Sequence, residues 1–329
     1  MKLQPRERFI AALERRPIQG RVPTFELVFY LTMEKLGKVH PSHRYYAQWD
    51  QMSRREQDLH RDDIARIFID IARAYGHDAI FVHPNPGTEI ETIRLLNRIR
   101  ELSGDQYFLM LHGDATFEIP SGDQMVDFVY RLADEPDKVH EEAAERVDKA
   151  LKRAEKLERE KLLDGFALCS DYCFNTGPFL SPVQFSEFVT PYLARLIQGY
   201  RDMGFYTIKH TDGNIMPIID QLIEANPHAL HSLDPQAGVD IAEVKRLYGN
   251  RVCLIGNVNC GLLETGTDAQ VIESARYCLR HGMPGYGYIF STSNCVYTGM
   301  PLERYDLIMK VLEEEGYYQE EGVSTDGIR

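Results

Sequence analysis

The chain has 329 residues, with 37 Lys or Arg against 50 Asp or Glu, a formal net charge of -13, and 43% hydrophobic residues. A surface this acidic, with no Lys/Arg-rich block, lacks the positive footprint from which binders of nucleic acid and of anionic membranes start. No apolar run approaches the roughly 18 residues of a membrane span, and the opening MKLQPRERFIAALERR is charged and helical in period, so neither partner is expected and a cytoplasmic location is.

In chain order, strand-like runs are predicted at 22–28, 78–83, 107–112, 165–170, 205–210, 229–233, 251–258 and 287–293. Amphipathic helical stretches lie between them, among them 62–75, 136–161, 182–203, 215–225, 241–248, 269–281 and 301–315. Pro182 and Pro301 stand at helix starts, where a missing amide hydrogen costs little. Gly249, Gly282 and Gly316 follow three helices and are expected to end them in the left-handed conformation. Strand and helix periods alternate eight times without a linker or composition shift, which predicts an α/β chain folded as a single (β/α)8 TIM barrel over 1–329. The segment 32–74 exceeds one crossover helix and is expected to form an N-terminal helical extension over the mouth, while 319–329 is polar and expected to fray.

Working residues of such barrels lie at the C-terminal ends of the strands. Those ends offer Glu26, His83, Asn85, His112, Asp114, Asp171, Cys173, His210, Asp212, His231, Asp234, Asn257, Asn259, Cys260, Asn294 and Cys295. In Lys209-His210-Thr211-Asp212-Gly213-Asn214, His210 and Asp212 are two apart, so a strand can point both to one side and offer nitrogen and oxygen to one ion. The same pair also reads as a hydrogen-bonded core histidine and a helix cap. Cys260 in GNVNCG and Cys295 in TSNCVYTG end the seventh and eighth runs, and His210 with two thiolates suits a zinc ion that keeps a fourth position open. Cys253 and Cys278, mid-strand and mid-helix, are assigned to packing. Six cysteines are too few for a disulfide framework in a chain of this length. Asp171 and Asn175 lie in SDYCFNTGP, where function and turn chemistry favour the same residues. Glu26 interrupts an apolar strand, which places it at a solvent rim or in the chemistry. Asn257 and Asn259 are candidates for holding a cofactor. No Walker loop, GxGxxG or GxSxG occurs.

The stretches PRERFIAALERRPIQGRVP, GPFLSPVQFSEFVTPYLARLI, IKHTDGNIMPIIDQLIEA, HSLDP through AEVKRLYGNRVCLIGNVN, and TGMPLERYDLIMKVLEE together resemble the uroporphyrinogen decarboxylase superfamily, in particular its corrinoid-dependent methyltransferase branch. The decarboxylases of that superfamily carry an arginine-rich loop soon after the first strand, and here the region reads FELVFYLTMEKLG, without arginine. The resemblance therefore implies a zinc-dependent methyltransferase. It would move a methyl group between a small methoxy-aromatic, methylamine or thiol compound and a separate corrinoid protein that brings the cobalamin. On that likeness His210 matches the family's zinc-binding His, Asp212 stands where a Cys is usual, and Cys295 lies at or within one residue of the last Cys. Cys260 is then the candidate to complete the set, and Asp171, Glu26 or Asp212 would carry the proton. The alternative it leaves is a cofactor-free decarboxylase in which Asp171 handles the proton.

Overall fold

The computed structural model describes residues 3–318. Seven parallel strands, β1 (Ala79–Phe81), β2 (Phe108–His112), β3 (Gly165–Cys169), β4 (Tyr206–Thr211), β5 (Ala229–Ser232), β6 (Cys253–Ile255) and β7 (Tyr288–Ile289), form one sheet in which each pairs with its chain neighbour. This is the curled α/β sheet expected from the alternation, with helices returning along its outside. The predicted first strand, 22–28, is reduced to isolated bridges. Phe290 N donates to Pro23 O at 2.8 Å and Asp78 N to Thr24 O at 2.7 Å, so this segment still spans the gap between β7 and β1. Pro23 has no amide hydrogen to give a ladder, and that limits the pairing.

Two apolar layers hold the barrel. Inside it, Phe81, Phe108, Met110, Ala167, Ile208, Ala229, Ile255 and Ile289 meet Phe9, Ala12 and Leu13 of helix Pro5–Leu13, which closes the N-terminal end. Outside it, Leu109, Leu168, Leu230 and Leu254 pack under the surrounding helices. The period of two along each strand thus separates the lumen from the helix layer, and each layer removes apolar area from water at about 25 cal/mol per Å2.

The helices follow the predicted pattern, with differences at a few places. Helix 182–203 is broken at Val189 into Pro182–Phe188 and Thr190–Asp202, the second carrying Pro191 in its first turn. Helices Glu89–Ser103 and Gln124–Asp134 supply further crossovers outside the predicted stretches. The extension consists of Thr32–Leu36, two short 3-10 turns and the long helix Arg54–Tyr75, and Asn85 Nδ2, donating to Pro41 O at 2.7 Å and Arg44 O at 2.8 Å, ties it to the loop beyond β1. Gly249, Gly282 and Gly316 are not left-handed. A Cβ would come within 2.6 Å of Lys245 O at Gly249, 2.6 Å of the Tyr288 ring at Gly282 and 2.5 Å of Leu312 O at Gly316, so close approach is what selects glycine there.

Candidate functional site

Parallel register sets the site. Cys169 of β3, His210 of β4 and His231 of β5 are paired along one row of the sheet, near the C-terminal ends of their strands. His210 and His231 are both buried, and their Nδ1 atoms are 2.7 Å apart, a hydrogen bond that one of them must donate. The other nitrogen of His210, Nε2, lies 3.7 Å from Asp212 Oδ1 and 4.0 Å from Asp171 Oδ1.

The two carboxylates are fixed by their own partners. Asp171 Oδ1 accepts from the Asp212 amide at 3.0 Å. Asp212 accepts from Ser232 Oγ at 2.7 Å through Oδ1 and from Asn294 Nδ2 through Oδ2. Gly213 lets the chain turn here: its φ is +81°, and a Cβ would lie 2.4 Å from Cys173 O. Burial pushes the Asp212 carboxyl up to about 7. Burial also lowers His210 to about 4, so its imidazole is neutral at physiological pH and carries one hydrogen and one lone pair.

Asp171, His210 and Asp212 make the one group of three His, Cys or carboxylate ligand atoms lying within 4.8 Å of one another among the described residues. Zinc binds nitrogen and carboxylate oxygen at about 2.0–2.2 Å, so two ligands of one ion lie at most about 4.4 Å apart. The 3.7 and 4.0 Å separations meet that test. His210, Cys260 and Cys295 do not form such a group. Cys260 Sγ instead donates to the Cys295 carbonyl at 3.6 Å, and its thiol is pushed by burial to about 11; burial likewise raises Cys295.

The remaining expected residues are placed as follows. Glu26 is buried behind the histidine pair and accepts from Thr292 Oγ1 at 2.5 Å, Ser291 Oγ at 3.2 Å and Tyr305 OH at 3.2 Å. Burial without a cation raises it to about 7. Asn257 and Asn259 line a separate cavity of about 510 Å3 beside helix Asp268–Gly282. Their side chains are already engaged: Asn257 donates to Leu233 O at 2.6 Å and accepts from Cys278 Sγ at 3.3 Å, while Asn259 Oδ1 accepts from Leu262 N at 3.2 Å. Asp114 is paired with the wholly buried Lys209 at 2.7 Å, and Asp234 caps the turn at Gln236. Ser232 and Ser291, which orient the site, carry no signal in the sequence beyond lying near strand ends.

Residues 166–315 match the family model described as "Uroporphyrinogen decarboxylase (URO-D)", so the resemblance read from the motifs holds over the second half of the barrel. A solved structure, "methyltransferase from Methanosarcina mazei", superposes with a TM-score of 0.73 at 16% identity, covering 95% of this chain and 99% of that one. Two further barrels align at TM-scores below 0.5. One is a GH5_18 from Bifidobacterium longum subsp. infantis (0.48, 13% identity, 92% of this chain and 80% of that one), and the other a D-psicose 3-epimerase from Clostridium cellulolyticum H10 (0.44, 11%, 77% and 91%). No curated protein matches the sequence.

Proposed function

We propose that this chain is a methyltransferase of the uroporphyrinogen decarboxylase type, with zinc at Asp171, His210 and Asp212. It moves a methyl group between a small methylated compound and a corrinoid carried by a separate protein. The observation that supports this most is the convergence of His210 Nε2 and two carboxylates at the C-terminal end of β4, on a fold shared with a Methanosarcina mazei methyltransferase. Bound there, zinc supplies a Lewis acid for the heteroatom that loses or receives the methyl group. Three protein ligands leave a position for that heteroatom.

The chain's own residues set the rest. His210 offers a neutral nitrogen and the two aspartates offer oxygen, a harder set than a histidine with two thiolates. It favours an oxygen- or nitrogen-bound methyl group, as in a methoxy-aromatic or methylamine, over a thiol. Asp171 is half exposed at 52% of its side chain, so it is the carboxylate in position to exchange a proton with water. The corrinoid partner rests on the family resemblance. We read the chain as one folding unit, which predicts that limited proteolysis releases no independently folding half.

The test begins with metal analysis of protein purified without an affinity tag. About one zinc per chain is expected, lost in His210→Ala and Asp212→Ala but kept in Cys260→Ser. Retention in the aspartate variant with loss in the cysteine variant would restore the thiolate set. The second step follows the cobalamin spectrum while methoxy-aromatic, methylamine and thiol compounds are added with enzyme and a reduced corrinoid protein. Enzyme-dependent methylation or demethylation of the cobalt is the expected result. Carbon dioxide released from a porphyrinogen without cobalamin would favour the decarboxylase reading instead.

A further inference from the structure

A continuous file of hydrogen bonds leads away from His210 through the barrel wall. His210 Nδ1 meets His231 Nδ1 at 2.7 Å, His231 Nε2 meets Ser291 Oγ at 3.4 Å, and Ser291 Oγ meets Glu26 Oε2 at 3.2 Å. Glu26 is then bonded by Tyr305 OH at 3.2 Å, and Tyr305 OH lies 2.9 Å from His77 Nε2 on the helix side. Every one of these side chains is buried.

The direction of the file follows from its end. In its carboxylate form Glu26 has only acceptor atoms and is surrounded by groups that donate to it: the Thr292 amide at 3.2 Å, Thr292 Oγ1 at 2.5 Å, Ser291 Oγ and Tyr305 OH. With its one hydrogen given to Glu26, Ser291 Oγ has only lone pairs left for His231, so the His231 nitrogen facing it must carry hydrogen. A neutral imidazole with hydrogen on Nε2 has a lone pair on Nδ1. His231 Nδ1 therefore accepts from His210, which places the His210 hydrogen on Nδ1 and leaves Nε2 bare. Nε2 is the atom aimed between Asp171 and Asp212. The reverse arrangement of the facing Nδ1 pair would put hydrogen on His210 Nε2 and present no lone pair to a cation.

We propose that Glu26, acting through Ser291 and His231, is a positioning residue that fixes His210 in the tautomer with hydrogen on Nδ1 and a lone pair on Nε2. The inference deepens the reading of Asp171, His210 and Asp212 as a metal site, and it rests on that reading for its purpose but not for its test. Groups orienting a ligand histidine typically change metal affinity by 10–100-fold when removed.

The test uses the full chain at about pH 8.5, where Glu26 is ionised, dialysed against a chelator and labelled with 15N in histidine. Long-range 1H-15N correlation spectra report which nitrogen of each imidazole is protonated. The wild-type chain is expected to show His210 protonated at Nδ1 and His231 at Nε2. Ser291→Ala, a small change that breaks the file without touching either histidine, and Glu26→Gln, which weakens its end, are expected to turn the His210 signals toward a mixture of tautomers. Each is also expected to weaken zinc binding about 10–100-fold in a chelator competition. A wild-type His210 protonated at Nε2, or His210 signals unchanged in both variants, overturns the proposal. If the tautomers shift as expected but wild-type protein binds no zinc, the relay stands and the metal reading fails. If zinc binds through Asp171, His210 and Asp212 while the tautomers stay put, the relay alone fails. Thermal unfolding of each variant, expected to remain a single transition, shows that the spectra come from folded protein.

Discussion

The carboxylates at the N-terminal end of the barrel and those around the candidate site at its mouth are held in opposite ways. At the N-terminal end, Asp78 is bonded by Arg8 Nε at 2.8 Å with Arg21 beside it at 3.6 Å, and Asp164 takes Arg6 at 2.7 Å and Arg100 at 2.8 Å. At the C-terminal end, Asp171, Asp212 and Glu26 have hydroxyl, amide and histidine neighbours, and none of the three has a Lys or Arg ion-pair partner among the described residues. The two sets share a residue type and differ in whether the charge is compensated by a cation of the protein; Asp114 at the mouth, paired with Lys209, belongs with the compensated set. Compensated carboxylates hold helix Pro5–Leu13 and the strand starts together. Uncompensated ones cost stability, and their place at the mouth is where a bound cation would supply the missing charge.

The largest effect is expected where compensation is broken. Asp78→Ala strands Arg8 in a buried site, while Arg21 keeps Glu313 and the Gly76 carbonyl, and breaking such a buried pair costs about 3–5 kcal/mol. Denaturant unfolding measures it; a loss below about 1 kcal/mol would mean that the N-terminal ion pairs are ornamental and would dissolve the contrast between the ends.

A smaller, pH-dependent effect is expected at Glu26. Burial raises its carboxyl from 4.5 to about 7, so folding favours the protonated form. Its contribution is therefore fully present below pH 4.5, is lost as the pH rises through 7, and is flat above that. At about 1.36 kcal/mol per pH unit, the span reaches about 3 kcal/mol. The groups facing it are Ser291, Thr292 and Tyr305, with His77 behind the tyrosine, lowered by burial to about 3 and so neutral throughout. Glu26→Gln cannot titrate, so its stability relative to wild type should improve across this window. Stability curves that run parallel from acid to neutral pH would show that Glu26 has an ordinary affinity for protons.

What the sequence discloses about the two ends differs for a physical reason. Periodicity is local: the pattern at 241–248 becomes helix Ile241–Tyr248, and strand ends placed His210 and Asp212 at the mouth. Pro191 also signals the break at Val189, because a proline is best placed in a helix's first turn. Side-chain direction past a strand end is not local. Cys260 and Asp171 both lie beyond the ends of strands, but the Cys260 thiol turns to the Cys295 carbonyl while Asp171 turns to the Asp212 amide and toward His210. The Glu26 to Ser291 contact joins residues 265 apart, and the Tyr75, His77 and Tyr305 side chains that pack behind it come from opposite ends of the chain. No spacing rule reaches that far, so Glu26 could be singled out as anomalous in an apolar strand while its partners could not.

The smallest stability change, with the sharpest functional one, is expected for Asp212→Asn. Three terms decide the sign. Removing a carboxylate that burial holds near 7 relieves a desolvation cost at neutral pH. Against this, the new amide can keep only one of its two incoming bonds as drawn, since an NH2 group would face either Ser232 Oγ or Asn294 Nδ2. Ser232 can rotate its hydroxyl and Asn294 can turn its amide to present oxygen, so a replacement network is within reach. The opposing terms should leave stability within about 1 kcal/mol of wild type, well below the cost at Asp78. Zinc affinity should nevertheless fall at least as far as the 10–100-fold typical of an orienting group, because a direct oxygen ligand is lost. Unfolding and chelator competition on the same preparation separate the two quantities. A variant that loses several kcal/mol while keeping its metal would make Asp212 a structural residue like Asp78, and the two ends of the barrel would no longer differ in kind.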